Sequence, residues 1–377
     1  MAHTTTTFLT GNALAVKKWS DYLALEAAKK SYFSRFIGSS KEHLIMLRDE
    51  LSKGAGDKVT FGLRMKLGSA GVEGDTTFSS DAAAGTGSEA LTFHSDSILI
   101  DQLRKETKSI GKMSEQRVPY NIRKEGMEAL STWWAEEIDE NFFVYLSGGY
   151  TTDTTIDGGM HHPITWTGRG GNAYRAATNV MYADDATSKA TLATGDKFDL
   201  AVIEKAVAYA EVTDPMIQPF RIEGKKKFVC LMHTFQAFDL RSSTTSNDWL
   251  DIHKYTDNGA SGLMYKNALG EYADVIMHKH RNCMRYSAAG GYAVPAARAL
   301  FLGAQAGVIG YGQRIGDDPG VPGTVTNKGR YRWVEESDDR GNALAITAGC
   351  IFGIQKTQFN SKDFGTIAID TACASPF

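Results

Sequence analysis

The chain has 377 residues, 42% of them hydrophobic and 23% charged, with a formal net charge of -3. This composition excludes wholesale disorder, and the lack of a long basic run argues against a dedicated nucleic-acid binder, which carries a basic face or tail. The length exceeds what one compact core needs, so two lobes or one core with large excursions are expected.

Residues 12–37 open at Asn12, a good N-cap, and close at Gly38, a good residue just past a helix end. Val16, Trp19, Leu23, Phe33, Phe36 and Ile37 recur between them at roughly helical spacing, which predicts one helix or a helix with an irregular end. From Val59 to Leu67 the alternation is unbroken: Val59, Phe61, Leu63, Met65 and Leu67 share one face, and Thr60, Gly62, Arg64 and Lys66 the other. Period two predicts a strand with one buried face. A second strand is predicted over Leu91–Leu103, centred on Ile98, Leu99 and Ile100. Residues 68–90 between them offer little to bury, and so long a connection is unusual inside a compact domain. Two strands with a soft tip predict an arm that projects from the body and packs on something else.

Pro119 stands where a helix would begin and Gly148-Gly149 where it would end. Leu130, Trp134, Ile138 and Phe142 recur every four residues, Trp133 widens the stripe, and Glu136, Glu137, Asp139 and Glu140 supply most of the polar face. At 1.5 Å per residue a helix over 118–147 is roughly 45 Å long, enough to cross a subunit. Residues 150–195 read as loops and short strands. Leu200, Ile203, Val207 and Ala210 mark a shorter amphipathic helix ended before Pro215. Phe228–Met232 reads as a buried strand after an exposed Lys225–Lys227 turn. Asp274–His278, Arg298–Leu302, Tyr331–Val334, Ala343–Phe352 and Gly365–Ile369 read as further strands, with Gly303–Gly316 glycine-rich. Helix, hairpin, long helix, mixed segment and strands in that order define an α+β class.

Little of this points to chemistry. Cys230, Cys283, Cys350 and Cys373 are scattered with no CxxC pair, which predicts free thiols rather than a disulfide framework or zinc site. The start, MAHTTTTFLTGN, lacks the features of a signal peptide, and no run approaches the roughly 20 apolar residues that span a membrane. A protein that is made and stays in a cytoplasm is expected. His161, His162, His278 and His280 are the metal candidates, and positions 278 and 280 share a face on a strand. A metal site needs a third ligand and supporting hydrogen-bond partners, and no carboxylate stands at a telling offset from either pair. Ordinary surface or interface histidines are therefore expected, with no catalytic residue, metal or cofactor. A metal-dependent hydrolase using the two pairs is the rival reading. Gly310, Gly312 and Gly316 have GxGxxxG spacing, Gly54–Thr60 lacks the GK[ST] ending of a phosphate loop, and HExxH and GxSxG are absent.

Several blocks resemble one family. LSKGAGDKVTFGLRMKLGSAGVEGD (Leu51–Asp75), ALTFHSDSILIDQLR (Ala90–Arg104) and MSEQRVPYNIRKEGMEALSTWWAEEIDENFF (Met113–Phe143) resemble the major capsid proteins of tailed bacteriophages, of the type found in N4-like phages. LMYKNALGEYADVIMHKHRNC (Leu263–Cys283), ARALFLGAQAGVIGYG (Ala297–Gly312) and GIQKTQFNSKDFGTIAIDT (Gly353–Thr371) extend the resemblance in order along nearly the whole chain.

The resemblance implies the Hong Kong 97-type capsid fold. It places an N-terminal arm at 1–52, the extended hairpin called the E-loop with its base at 53–112, and a peripheral domain with the long spine helix at 113–195. An axial domain follows at 196–322, and 323–377 returns to the peripheral domain. It further implies self-assembly into hexamers and pentamers of an icosahedral virion shell around double-stranded DNA, which the near-neutral charge suits, since such a wall surrounds a polyanion without gripping it. Arg64, Lys66, Val72, Glu73 and Phe78 on the E-loop are expected at the intersubunit interface, and Leu130, Trp134, Ile138 and Phe142 in the core beneath the spine helix. Some relatives carry a long N-terminal scaffolding extension. Only residues 1–52 precede the hairpin here, so a separate scaffolding protein or an extension already cleaved off is implied, and the initiator-like Met1 favours the separate protein, with a portal and a decoration protein as further partners, no membrane, and assembly in the host bacterial cytoplasm.

Overall fold

The computed structural model describes residues 23–49, 56–65, 67–68, 90–109, 111–117, 121–152, 162, 166–222, 224–242, 268–288, 291–312, 330–338 and 342–376. Its centre is the helix Ile122–Ser147, 26 residues and so roughly 39 Å long. Asn121 starts it, its side chain accepting hydrogen bonds from the backbone N–H groups of Arg123 and Lys124. Gly148 ends it in the left-handed conformation at φ 65°, where its N–H donates to the carbonyls of Val144 and Tyr145. The expected start at Pro119 is thus corrected to Asn121, whose side-chain oxygen satisfies amides that a proline cannot reach.

Two sheets pack on this helix. The first runs in the order Ile37–Gly38, Ile45–Arg48, Gly307–Tyr311, Ala343–Lys356, Tyr331–Asp338, and Asp101–Lys108 also pairs with Ala343–Lys356. That 14-residue strand is long enough for Asp101–Lys108 to pair with its first part, Ala345 to Phe352, and Gly307–Tyr311 with its last, Phe352 to Lys356. Trp134 presses edge-on against Tyr331 and Phe352 at ring distances of 5.0 and 6.0 Å. The second sheet runs in the order Ala268–Tyr272, Val275–Lys279, Lys225–Met232, Ala296–Leu302, Thr366–Ala372, Val180–Tyr182. Alternation decides what each of its faces touches. Val229, Leu231, Leu300 and Leu302 join the core around the spine helix, whereas Phe228, Cys230, Ala299 and Phe301 join a second core beneath the helices Leu200–Val212 and Thr234–Ser242. Gly307–Tyr311 lies in the first sheet and Thr366–Ala372 in the second.

Several expectations are corrected. Among the described residues helix runs from residue 23 to residue 30 and gives way to a single tight turn at Phe33–Phe36 and extended chain at Ile37, and residues 12–22 of the expected helix lie outside the described residues. The cause is Asp139, whose carboxylate takes the amides of Tyr32 and Phe33, at 2.7 and 3.1 Å, out of any helical ladder. The strand expected over Leu91–Leu103 is two strands, Phe93–Leu99 and Asp101–Lys108, because the first pairs with the hairpin and the second with the sheet. Lys225–Lys227 is not a turn. It pairs with Phe220–Ile222, and Lys227 is buried against the carboxylate of Glu271. Finally, Glu137, Asp139 and Glu140 are buried rather than solvated, while Glu136 is exposed.

Candidate intersubunit surfaces

The hairpin pairs Lys58–Arg64 with Phe93–Leu99 over seven residues, from Lys58 opposite Leu99 to Arg64 opposite Phe93. Val59 and Ile98, Phe61 and Asp96, and Leu63 and His94 form one side of this ribbon. Val59, Phe61, Ile98 and partly buried Leu63 pack there with Met46, Val308, Phe359 and Phe364. Asp96 stands among them. A buried carboxylate needs a partner, and the Arg175 guanidinium supplies one through two bonds of 2.7 and 2.6 Å, joined by the Gln358 amide at 3.0 Å. Asn172 clamps the hairpin base by accepting from the Leu99 N–H at 2.9 Å and donating to its carbonyl at 2.7 Å. At Gly353 a Cβ would stand 2.0 Å from the Leu99 carbonyl oxygen, so only glycine lets the hairpin pass this closely over the long strand.

The far end is unlike the base. Leu67, Leu91 and Phe93 are 54%, 53% and 63% exposed. Three large apolar side chains in solvent at the end of one ribbon form a candidate contact surface. Sequence alternation identified the ribbon but not its anchor, although an Asp sharing the inward face with Ile98 is the signal that a buried cation waits opposite. Of the five residues expected at the interface, Arg64 is exposed at the end of its strand, and Lys66, Val72, Glu73 and Phe78 lie outside the described residues.

Along the spine helix, Leu130, Trp134, Ile138 and Phe142 are buried at 3%, 0%, 6% and 0% exposure. The opposite side carries a shallow groove of about 390 Å³ lined by Glu125, Glu128, Ala129, Thr132, Trp133 and Glu136. The buried acids hold neighbouring segments. Asp139 accepts from the Ser31 hydroxyl at 2.8 Å and from the Tyr32 and Phe33 amides, and burial raises its carboxyl to about 6 despite these bonds. Glu137 pairs with Arg169, and Glu140 accepts from the His162 amide.

His162 and His278 are buried and His280 is half-buried, so none of these three is a fully exposed surface residue. His278 is buried against Tyr32 and Phe36, and His280 stacks on Phe143 at 4.6 Å. Burial lowers both to about 4, assisted by the charges of Arg35 and Arg281 respectively, so each is neutral at physiological pH. His162 stacks on Trp166 at 4.3 Å, and His161 lies outside the described residues. The only cluster of three metal-ligating side chains among the described residues is Asp184, Asp185 and Asp196, which contains no histidine. No helix among the described residues is long and apolar enough to cross a membrane.

A central long helix between two sheets, with an anchored hairpin reaching outward, is the Hong Kong 97-type architecture of phage capsid subunits. The structure is similar to the capsid of Ralstonia phage GP4, with TM-score 0.77 and 35% identity over 99% of this chain and 100% of that one. The Cyanophage Pam1 capsid shares the fold at TM-score 0.68 and 19% identity over 98% and 100% of the two chains. The chain belongs to the phage capsid protein family, whose sequence model matches residues 7–375. The major capsid protein of Pseudomonas phage KPP25 is 25% identical over 386 residues, 94% of either chain. This is a phage major capsid protein, a component of the virion that assembles with copies of itself into an icosahedral shell.

Proposed function

We propose that the chain forms hexamers and pentamers whose shell encloses double-stranded DNA, and that its work is interface formation rather than catalysis. The carrying observation is the hairpin, whose base is tied to the body by Asp96, Arg175 and Asn172 while Leu67, Leu91 and Phe93 stand exposed at its end. In this reading residues 1–52 are the N-terminal arm, 53–112 the E-loop and its base, 113–195 and 323–377 the peripheral domain, and 196–322 the axial domain. Arg64, Lys66, Val72, Glu73 and Phe78 contact the neighbouring subunit. Many modest contacts per subunit sum to a stable shell, as in other large obligate interfaces.

The block-by-block resemblance along the chain supports the N4-like type. A separate scaffolding protein, a portal and a decoration protein complete the partners, and assembly takes place in the host bacterial cytoplasm. The packaged DNA is surrounded without sequence-specific contacts, consistent with a net charge of -3. The test replaces Ser69–Glu89 by a short Asn-Gly turn. The subunit should keep its circular dichroism spectrum and melting temperature while shells vanish from negative-stain electron micrographs. Normal shells from this variant would refute the E-loop assignment, and an unfolded subunit would place the segment in the core.

A further inference from the structure

The first sheet turns one face to the spine helix and the other away from it. Leu103, Trp333, Ile346, Ala348 and Cys350 belong to the core around the helix, so alternation turns Gln102, Arg104, Arg332 and Gly349 to the far side. We propose that Arg104 and Arg332, which flank Gly349 on this far side, form a binding site for a small tetrahedral oxyanion of the charge of inorganic phosphate.

Strand register builds the site. Gly349 lies opposite Arg104 on one neighbouring strand and opposite Arg332 on the other, so the three residues make one row across three strands. Adjacent strands stand about 4.8 Å apart, which sets the two arginine Cα atoms roughly 10 Å from each other. The residue between them has no side chain, and the two arginines can close on a ligand above it. This row lines an opening of about 510 Å³.

Neither guanidinium has a counter-charge. Among the described residues Arg104 and Arg332 make no hydrogen bond and no ion pair. Elsewhere in the subunit Arg169, Arg175 and Arg298, half-buried or buried, hold Glu137, Asp96 and Asp370. Arg332 is also half-buried, so part of its hydration is lost with no partner to replace it. Like charges in one row across a sheet repel as well. A dianion between the two arginines relieves both effects, and guanidinium groups hold such oxygens through paired charge-assisted hydrogen bonds.

The rest of the opening limits what fits. Glu106 stands one row along the same face, where it accepts from the Thr347 hydroxyl at 3.4 Å, and Glu336 stands one row beyond. These carboxylates close that end to a negatively charged chain, so a small oxyanion fits and a nucleic-acid backbone does not. Gln102, exposed two residues before Arg104, adds an amide donor at the basic end. One phosphate dianion matches the two arginine charges.

The test titrates the purified full-length chain with inorganic phosphate in a calorimeter, at slightly alkaline pH and constant ionic strength, with chloride as the replacement. One phosphate bound per subunit is the expected result. Arg104→Gln and Arg332→Gln should each weaken binding by about tenfold or more, through lost charge-assisted hydrogen bonds. Arg221→Gln, which removes an exposed cation from the second sheet, should leave the affinity unchanged. In chloride both arginine variants should melt like the parent, and the rise in melting temperature that phosphate gives the parent should be lost in them. No phosphate binding by the parent, unchanged affinity in both arginine variants, or equal weakening by Arg221→Gln would each overturn the site. Lower melting in chloride would show that these arginines hold the fold instead, and acetate bound as tightly as phosphate would reject a site for a dianion.

Discussion

Two antiparallel strand pairs in this chain have the same length and contrasting surroundings. Ala296–Leu302 with Thr366–Ala372 and Lys58–Arg64 with Phe93–Leu99 are each seven residues paired with seven. In the first pair every residue is buried, with core on both faces. In the second only Val59, Phe61, Asp96 and Ile98 are buried. The first pair also contains the internal ion pair of Arg298 and Asp370, bonded at 2.6 and 2.7 Å, with a further Arg298 bond of 2.8 Å to the Ser147 carbonyl at the end of the spine helix. One pair is therefore completed by its own subunit, and the other leaves one face of its ribbon exposed. On the proposed reading of the hairpin as an intersubunit arm, stability and assembly are separable because different strands carry them.

That separation can be broken or sharpened by substitution. The largest effect is expected in the doubly buried pair. Asp370→Ala strands a guanidinium in the interior and should cost about 3–5 kcal/mol, read by urea unfolding of the unassembled subunit. Wild-type stability in this variant would mean that water reaches Arg298. Trp134→Ala removes the ring between Tyr331 and Phe352 and should cost a comparable or slightly smaller amount, about 3–4 kcal/mol, or yield insoluble protein. A soluble variant that melts like the parent would show that the stripe is not core.

A smaller effect is expected at Asp139. Its carboxyl is raised from 3.8 to about 6 by burial, so the folded subunit holds this proton more tightly than the unfolded chain does. The contribution of this group is accordingly most favourable below about pH 4 and declines as pH rises through 6. Asp139→Asn should remove that window, changing the difference in unfolding free energy between pH 4.5 and pH 7 by about 1–3 kcal/mol relative to the parent. Identical pH profiles for the two proteins would sink this assignment. The smallest stability effect belongs to the hairpin's outer end. Phe93→Ser should shift unfolding by less than about 0.5 kcal/mol, because the ring has little to lose within its own subunit. The same change should depress shell yield, and a large loss of subunit stability would erase the contrast between the two strand pairs.

The hairpin strand was legible in the sequence because alternation over Val59, Phe61 and Leu63 is a local property of the pleat. Even there, the last two members of the pattern depart from it: Met65 is half-buried and Leu67 is 54% exposed, because the body of the subunit stops short of them. The spine helix was legible from its stripe and from Gly148. The helix Thr234–Ser242 was not, because its buried residues include the polar Gln236 and Asp239 and so leave no clean apolar stripe. Gln236 earns its place by donating to the Ala297 carbonyl and the Thr371 hydroxyl, and by accepting from the His233 amide.

The sequence by itself determined which residues share a face: the two sides of the hairpin ribbon, the apolar stripe of the spine helix, and the glycine that ends it. These follow from fixed backbone periods of 2 and 3.6 residues, which need no knowledge of the rest of the chain. Only the tertiary structure decided which faces are wet. Asp139 is interior because Ser31, Tyr32 and Phe33, more than a hundred positions earlier in the chain, return to bond it. Asp96 is interior because Arg175, 79 residues later, neutralises it, and Arg298 because Asp370, 72 residues later, does the same. A charged side chain is buried only where such partners repay its lost hydration, and partners so distant in sequence meet only once the fold has formed.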